Sequence, residues 1–149
     1  AFMVKYGIGT TSQNQVSFTP ADIAANNIVA ISNIDSSINH TFHVTRDEYS
    51  SMLEITNHLS SIIGKEFRNY KLKAFVPEVV SRCTKEDSLF PLLNFLVKSA
   101  DNIEAMEFKR YDNSNYQKFR KLSIHGKPDI PLEDVVMGIY KFMDSNNLI

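Results

Sequence analysis

Four histidines, one cysteine, two closely spaced glycines and several short basic runs are the groups in this chain able to carry chemistry. His43-Val44-Thr45 is a His-x-Thr on a segment that reads as a strand. Phosphodiester chemistry can use two such motifs, one histidine as base and the other as acid. The second match, His58-Leu59-Ser60, lies close in sequence and inside an amphipathic helical pattern. His125 is followed by Gly126 and Lys127 and has no hydroxyl partner at that spacing. A two-histidine phosphoesterase is therefore the disfavoured reading, and a histidine packed at a subdomain junction the preferred one. No metal site is expected: His40, His43, His58 and His125 lack ligand spacing. On a regular strand His40 and His43 would point to opposite faces.

Gly7-Ile8-Gly9-Thr10-Thr11-Ser12 imitates the opening of a dinucleotide-binding turn, but the third glycine is Ser12 and no helical pattern follows. A glycine turn is the reading adopted. Cys83 stands between Arg82 and Lys85, cations that lower a thiol pKa. The commoner fate of a free cysteine is burial, and a small core residue near a helix end is preferred here. Lys65, Arg68, Lys71 and Lys73 read as a solvated face. Lys109-Arg110 and Lys118-Phe119-Arg120-Lys121 interleave aromatics, but a formal net charge of −1 argues against nucleic acid.

The elements that must position these groups belong to a chain of ordinary globular composition, 149 residues with 43% hydrophobic and 22% charged. That length suits one domain, 1–149, and the composition excludes disorder and repeat architectures. One cysteine excludes an internal disulfide and points to a reducing, cytoplasmic setting. No apolar run approaches the roughly 20 residues of a membrane span. The chain opens without Met on an apolar run, as an excised or processed chain would.

Val16-Ser17-Phe18 reads as a short strand. Thr19 then caps a helix with Pro20 at its first position and Asp22 in its first turn. Its expected buried stripe is Ala24, Ile28 and Ile31. Thr41-Phe42-His43-Val44 reads as a strand. Thr45 or Asp47 is expected to cap a helix buried along Tyr49, Met52, Leu53, Thr56, Leu59 and Ile63, with Gly64 closing it. Tyr70, Leu72 and Ala74 alternate as a second strand, and Pro77 begins a short helix. Leu89, Leu92, Leu93, Leu96 and Val97 mark a helix with Pro91 in its first turn. Ile103 to Phe108 reads as a strand, and Ser114 to Leu122 as a polar helix. Leu132, Val135, Val136, Ile139, Tyr140 and Met143 mark the clearest helix.

Several phrases, in order, resemble one family. Phe18-Thr19-Pro20-Ala21-Asp22-Ile23-Ala24 with Ile28-Val29-Ala30-Ile31-Ser32 is similar to a segment of the terminal thioester reductase domains of nonribosomal peptide synthetases. That family includes the carboxylic-acid and aminoadipate reductases. Asn39 to Thr45, then Ser88 to Leu96, then Asp112-Asn113-Ser114-Asn115 resemble later segments of the same domains. Thr45 stands where the family usually has Asn, and Ala21 where it has Val.

The resemblance implies an α+β fold: the mostly helical C-terminal subdomain of an extended short-chain dehydrogenase, with a few short strands. The Rossmann half, its NADPH site and the Ser/Thr-Tyr-Lys catalytic set would lie upstream of the matched region. Tyr6 and Tyr116 lack a Lys four residues on, so no catalytic residue is assigned in this chain. Phe18, Thr19, Pro20 and His43 are the implied substrate-pocket residues. The implied partners are a carrier protein with its phosphopantetheine arm and the Rossmann half itself; no nucleic acid or membrane is expected. The implied role is recognition of substrate and carrier arm, without catalysis by this chain alone and without a cofactor in it. An apolar patch would be left where the Rossmann half packs. The alternative is a free-standing protein-interaction module with a winged-helix-like C-terminal end.

Overall fold

The computed structural model describes residues 1–105 and 110–149. In chain order the elements are α1 (Phe2–Tyr6), β1 (Ile8–Thr10), β2 (Gln15–Val16), α2 (Ala21–Ser32), β3 (Ser50–Ser51) and α3 (Met52–Ile63). β4 (Arg68–Tyr70), α4 (Leu72–Arg82), α5 (Leu93–Ala105), α6 (Ser114–Leu122) and α7 (Leu132–Ser145) follow. The class is α+β, mostly helical with a few short strands, as expected. No helix among the described residues is long and apolar enough to cross a membrane. Contacts gather the described residues into two units, one from 1–16, 50–105 and 136–149, the other from 17–49 and 110–135.

The first unit is organised around β1. Gly7 ends α1 in the left-handed conformation, φ 64°, where glycine carries no Cβ penalty. The chain then enters β1, which is buried throughout and runs parallel to β4, with Ile8 opposite Arg68 and Thr10 opposite Tyr70. So short a parallel pair needs covering helices. A Cβ on Gly9 would collide with Asn69 Oδ1 and the Thr56 side chain, so the glycine is what admits α3 this closely. After β1 the chain passes to β2, not into a helix; the two glycines serve a helix cap and a close approach. The core joins Phe2, Ile8, Leu72, Phe75 and Val79, with Leu89, Leu93, Leu96 and Cys83 packed against it.

Several expectations in this unit are corrected. The cap of α3 is Ser51, neither Thr45 nor Asp47. Its hydroxyl accepts from Glu54 N at 3.2 Å while the Glu54 carboxylate accepts from Ser51 N at 2.6 Å. Gly64 closes that helix as expected, at φ 64°. The second strand covers only Arg68–Tyr70; Leu72 already begins α4, and Pro77 lies inside it. Leu72, Phe75, Val76 and Val79 are buried at helical spacing. Burying that stripe outweighs the hydrogen bond that Pro77 removes. Pro91 sits in a 3-10 turn (Phe90–Leu92) directly ahead of α5. Of the strand expected from Ile103 to Phe108, Ile103–Ala105 is the end of α5, and the remainder lies outside the described residues.

The second unit packs α2 on α6. Ile31, Tyr116 and Phe119 form its core, with Ile34, Phe42 and Val44 against them. α6 has the expected span, but it buries Tyr116, Gln117, Phe119 and Arg120. The buried face of α2 is Ile23, Asn27, Ala30 and Ile31, while Ile28 is 53% exposed. Asn27 can lie on this buried face because it makes three hydrogen bonds, to Tyr116 and Lys127. Thr19 is not the cap either. Pro20 occupies that position and no side chain caps the helix. The strand expected at Thr41–Val44 is absent. Phe42 and Val44 do turn to the core, but the segment has no ladder partner and is held by side chains of residues 113 and 115 instead.

Candidate functional site

The segment carrying His43 is fixed by the Asp112-Asn113-Ser114-Asn115 phrase. Asn113 Nδ2 donates to the Thr45 carbonyl at 2.9 Å and to Asp47 Oδ1 at 3.1 Å, and Asn115 Nδ2 donates to the Thr41 carbonyl at 3.1 Å. Asp112 accepts from Ser114 N at 2.9 Å, and that bond holds its carboxyl below the ordinary value, with His43 adding a small charge effect. His43 Nδ1 lies 2.9 Å from the Asp112 carbonyl. A carbonyl only accepts, so Nδ1 carries a proton. The exposed ring lies tilted by 34° against Tyr111, ring centres 5.1 Å apart. This is an oriented, accessible imidazole with no second histidine in the arrangement described. His58 lies on α3 in the first unit.

Phe18, Thr19 and Pro20 are half-buried just ahead of α2. Ser17 Oγ accepts from Arg46 N at 3.1 Å, so the chain beside Phe18 is tied to the chain three residues past His43. The Thr19 hydroxyl is buried and has no hydrogen-bond partner, and the same holds for Thr45.

Sequence reasoning passed over Arg46, which is 4% exposed although an arginine. It lines a cleft of about 390 Å³ together with Asp47, Glu48, Asp129, Ile130 and Pro131. Arg120, noted in the sequence only as part of a basic run, is also buried and meets Asp129 at 2.9 Å. That pair meets as charges rather than as an aligned hydrogen bond. The one available signal for Arg46 was its place next to the alternating Phe42 and Val44, where a charge stands out.

The first unit holds two further concavities. An apolar groove of about 460 Å³ is lined by Phe2, Met52, Leu92, Leu96, Val136 and Ile139 among others. A polar cleft of about 390 Å³ lies at the carboxyl ends of β1 and β4, between Thr11–Asn14 and Lys71–Leu72. Cys83 packs against the core, and burial, then the Asp87 charge, pushes its thiol up. The neighbouring cations do not activate it. Among the described residues no cluster of three or more His, Cys, Asp or Glu could hold a metal ion.

No family model matches the sequence, and no curated protein does. A solved structure does match: the terminal R domain from the myxalamid PKS-NRPS biosynthetic pathway, at a TM-score of 0.79 and 18% identity. The likeness covers 98% of this chain and 36% of that one. The chain has the fold of part of a terminal R domain. It spans just over a third of the length of that R domain. Within this R-domain fold the phrase at Asp112–Asn115 pins the His43 segment, and the phrase at Phe18–Ala24 leads into α2. The phrase at Ser88–Leu96 makes the 3-10 turn and the start of α5.

Proposed function

We propose that the chain is the substrate-side part of an NADPH-dependent thioester reductase, recognising an acyl or peptidyl thioester on the phosphopantetheine arm of a carrier protein. The observation that carries this reading is the R-domain fold, matched over 98% of the chain. NADPH, bound by another part of the parent enzyme, would supply hydride to the thioester carbonyl; the arm leaves as a thiol and an aldehyde, or after a second hydride an alcohol, is released. This chain supplies recognition. Phe18, Thr19, Pro20 and His43 are the proposed pocket residues. The exposed, oriented His43 ring can meet a ligand directly, and the unpartnered Thr19 hydroxyl, buried in the free chain, can do so once a ligand's approach uncovers it. The apolar groove of the first unit is proposed as a packing face for the nucleotide-binding half. A reducing, cytoplasmic setting suits the free thiol of Cys83.

The interaction-module alternative gains no support: the residues between α6 and α7 form no strand that would serve as a wing. The test is retention on the immobilised chain of a carrier domain bearing a loaded arm, against the same domain without the arm. Retention of the loaded form alone is expected. Equal retention of both, or of neither, contradicts the reading.

A further inference from the structure

Two arginines are buried in the second unit, and only one is neutralised. Arg120 stands 2.9 Å from Asp129, both side chains largely buried. Arg46 is 4% exposed, its Nε is buried without a hydrogen-bond partner, and its ion pair is with Glu48 at 3.8 Å. That distance is well beyond the roughly 2.8 Å of a charge-assisted hydrogen bond. Glu48 is itself 85% exposed, so water screens what attraction remains. A buried guanidinium with so weak a partner costs free energy that an aligned anion would recover.

The backbone around Arg46 is already fixed. Arg46 N donates to Ser17 Oγ, and Asn113 holds both the Thr45 carbonyl and the Asp47 carboxylate. Asp47 and Asp129 are thus engaged elsewhere, and Glu48 is the carboxylate an incoming anion must displace. We propose that this cleft binds a singly charged oxyanion of a ligand, a carboxylate or a phosphodiester, on the Arg46 guanidinium. The two free oxygens of a carboxylate or a phosphodiester match the arginine fork, whereas a dianion would be repelled more strongly by the three carboxylates lining the cleft. The inference does not rest on the reductase reading; it needs only the charges of the second unit.

The test is titration of the isotopically labelled full chain with dimethyl phosphate and, separately, with acetate, following the Arg46 Nε–H resonance. Trimethyl phosphate is the neutral control. A saturable shift with either anion and none with the neutral ester is expected, and the tighter of the two identifies the source chemistry. Arg46→Gln should abolish the shift of neighbouring amides. Because that variant can lose stability, Glu48→Gln provides the second arm: it removes an exposed competitor and should tighten anion binding roughly two- to fivefold. An unmoved Nε–H resonance, an equal response to trimethyl phosphate, or unchanged affinity in Glu48→Gln would overturn the proposal.

Discussion

Asn27 on α2 donates from Nδ2 to the Tyr116 hydroxyl on α6 at 2.8 Å, and neither residue has exposed surface. Asn27 also donates to the Lys127 carbonyl and accepts from Lys127 N at 2.7 Å. One amide thereby ties two helices and the loop that follows α6. Tyr116→Phe should cost about 1–2 kcal/mol, and Asn27→Ala more, because it leaves Lys127 and Tyr116 groups without partners. Urea denaturation of both variants checks the ranking.

Asp87 is a second hub. It takes Lys5 Nζ at 2.7 Å, Thr84 N at 2.8 Å and the Tyr6 hydroxyl at 3.1 Å. The Lys5 hydrogen bond first, then the Thr84 amide, bring its carboxyl down from 3.8 to about 2. A depressed folded-state value gives stability that is present above 3.8 and lost as pH falls toward 2. Wild type should therefore lose stability across that window, and Asp87→Asn, already weaker at neutral pH, should show a flatter acid limb. Thermal melts from pH 6 downward read this directly.

The α3 capping box predicts a local loss. Ser51→Ala should cost about 1 kcal/mol, and Ser51→Asp should restore most of it. Hydrogen exchange in the first turn of α3 would report the change.

Thr19 separates a structural role from a binding one. Its hydroxyl is buried and unpartnered, so Thr19→Val should leave stability within about 0.5 kcal/mol or raise it. The same variant should weaken loaded-carrier binding, and His43→Ala, at an exposed position, should weaken it roughly five- to tenfold. Variants that bind as wild type does would remove these residues from the proposed pocket.

Much of this was legible in the sequence, for identifiable reasons. The span of α6, the strong periodicity of α7 and Gly64 as the terminator of α3 were readable. Two of the misreadings have their origin in tertiary contacts. Lys71-Leu72-Lys73-Ala74 alternates like a strand, yet Leu72 belongs to a helical stripe completed by Phe75, Val76 and Val79. Thr41–Val44 alternates as well, but a strand needs a neighbour, and the segment is instead held at its two ends, Asn115 on the Thr41 carbonyl and Asn113 on the Thr45 carbonyl. Ser51-x-x-Glu54 is readable as a capping box and lies nearer the helix than Thr45 or Asp47. Asn27 was beyond reach, since nothing in one sequence says which polar residues find buried partners, and Arg46 offered only its place beside Phe42 and Val44. The proposed pocket residues came from resemblance, and the structure adds an unpartnered hydroxyl at Thr19 and a fixed ring at His43.

The central claim is that this chain reads the carrier-bound substrate while the nucleotide is held elsewhere. Titrating the full chain with a loaded carrier domain, and in parallel with NADPH followed by nicotinamide fluorescence, tests it most directly. Saturable carrier binding with no change in nicotinamide emission is the predicted result. Saturable NADPH binding would contradict it and would return Gly7 and Gly9 to the role of a nucleotide turn.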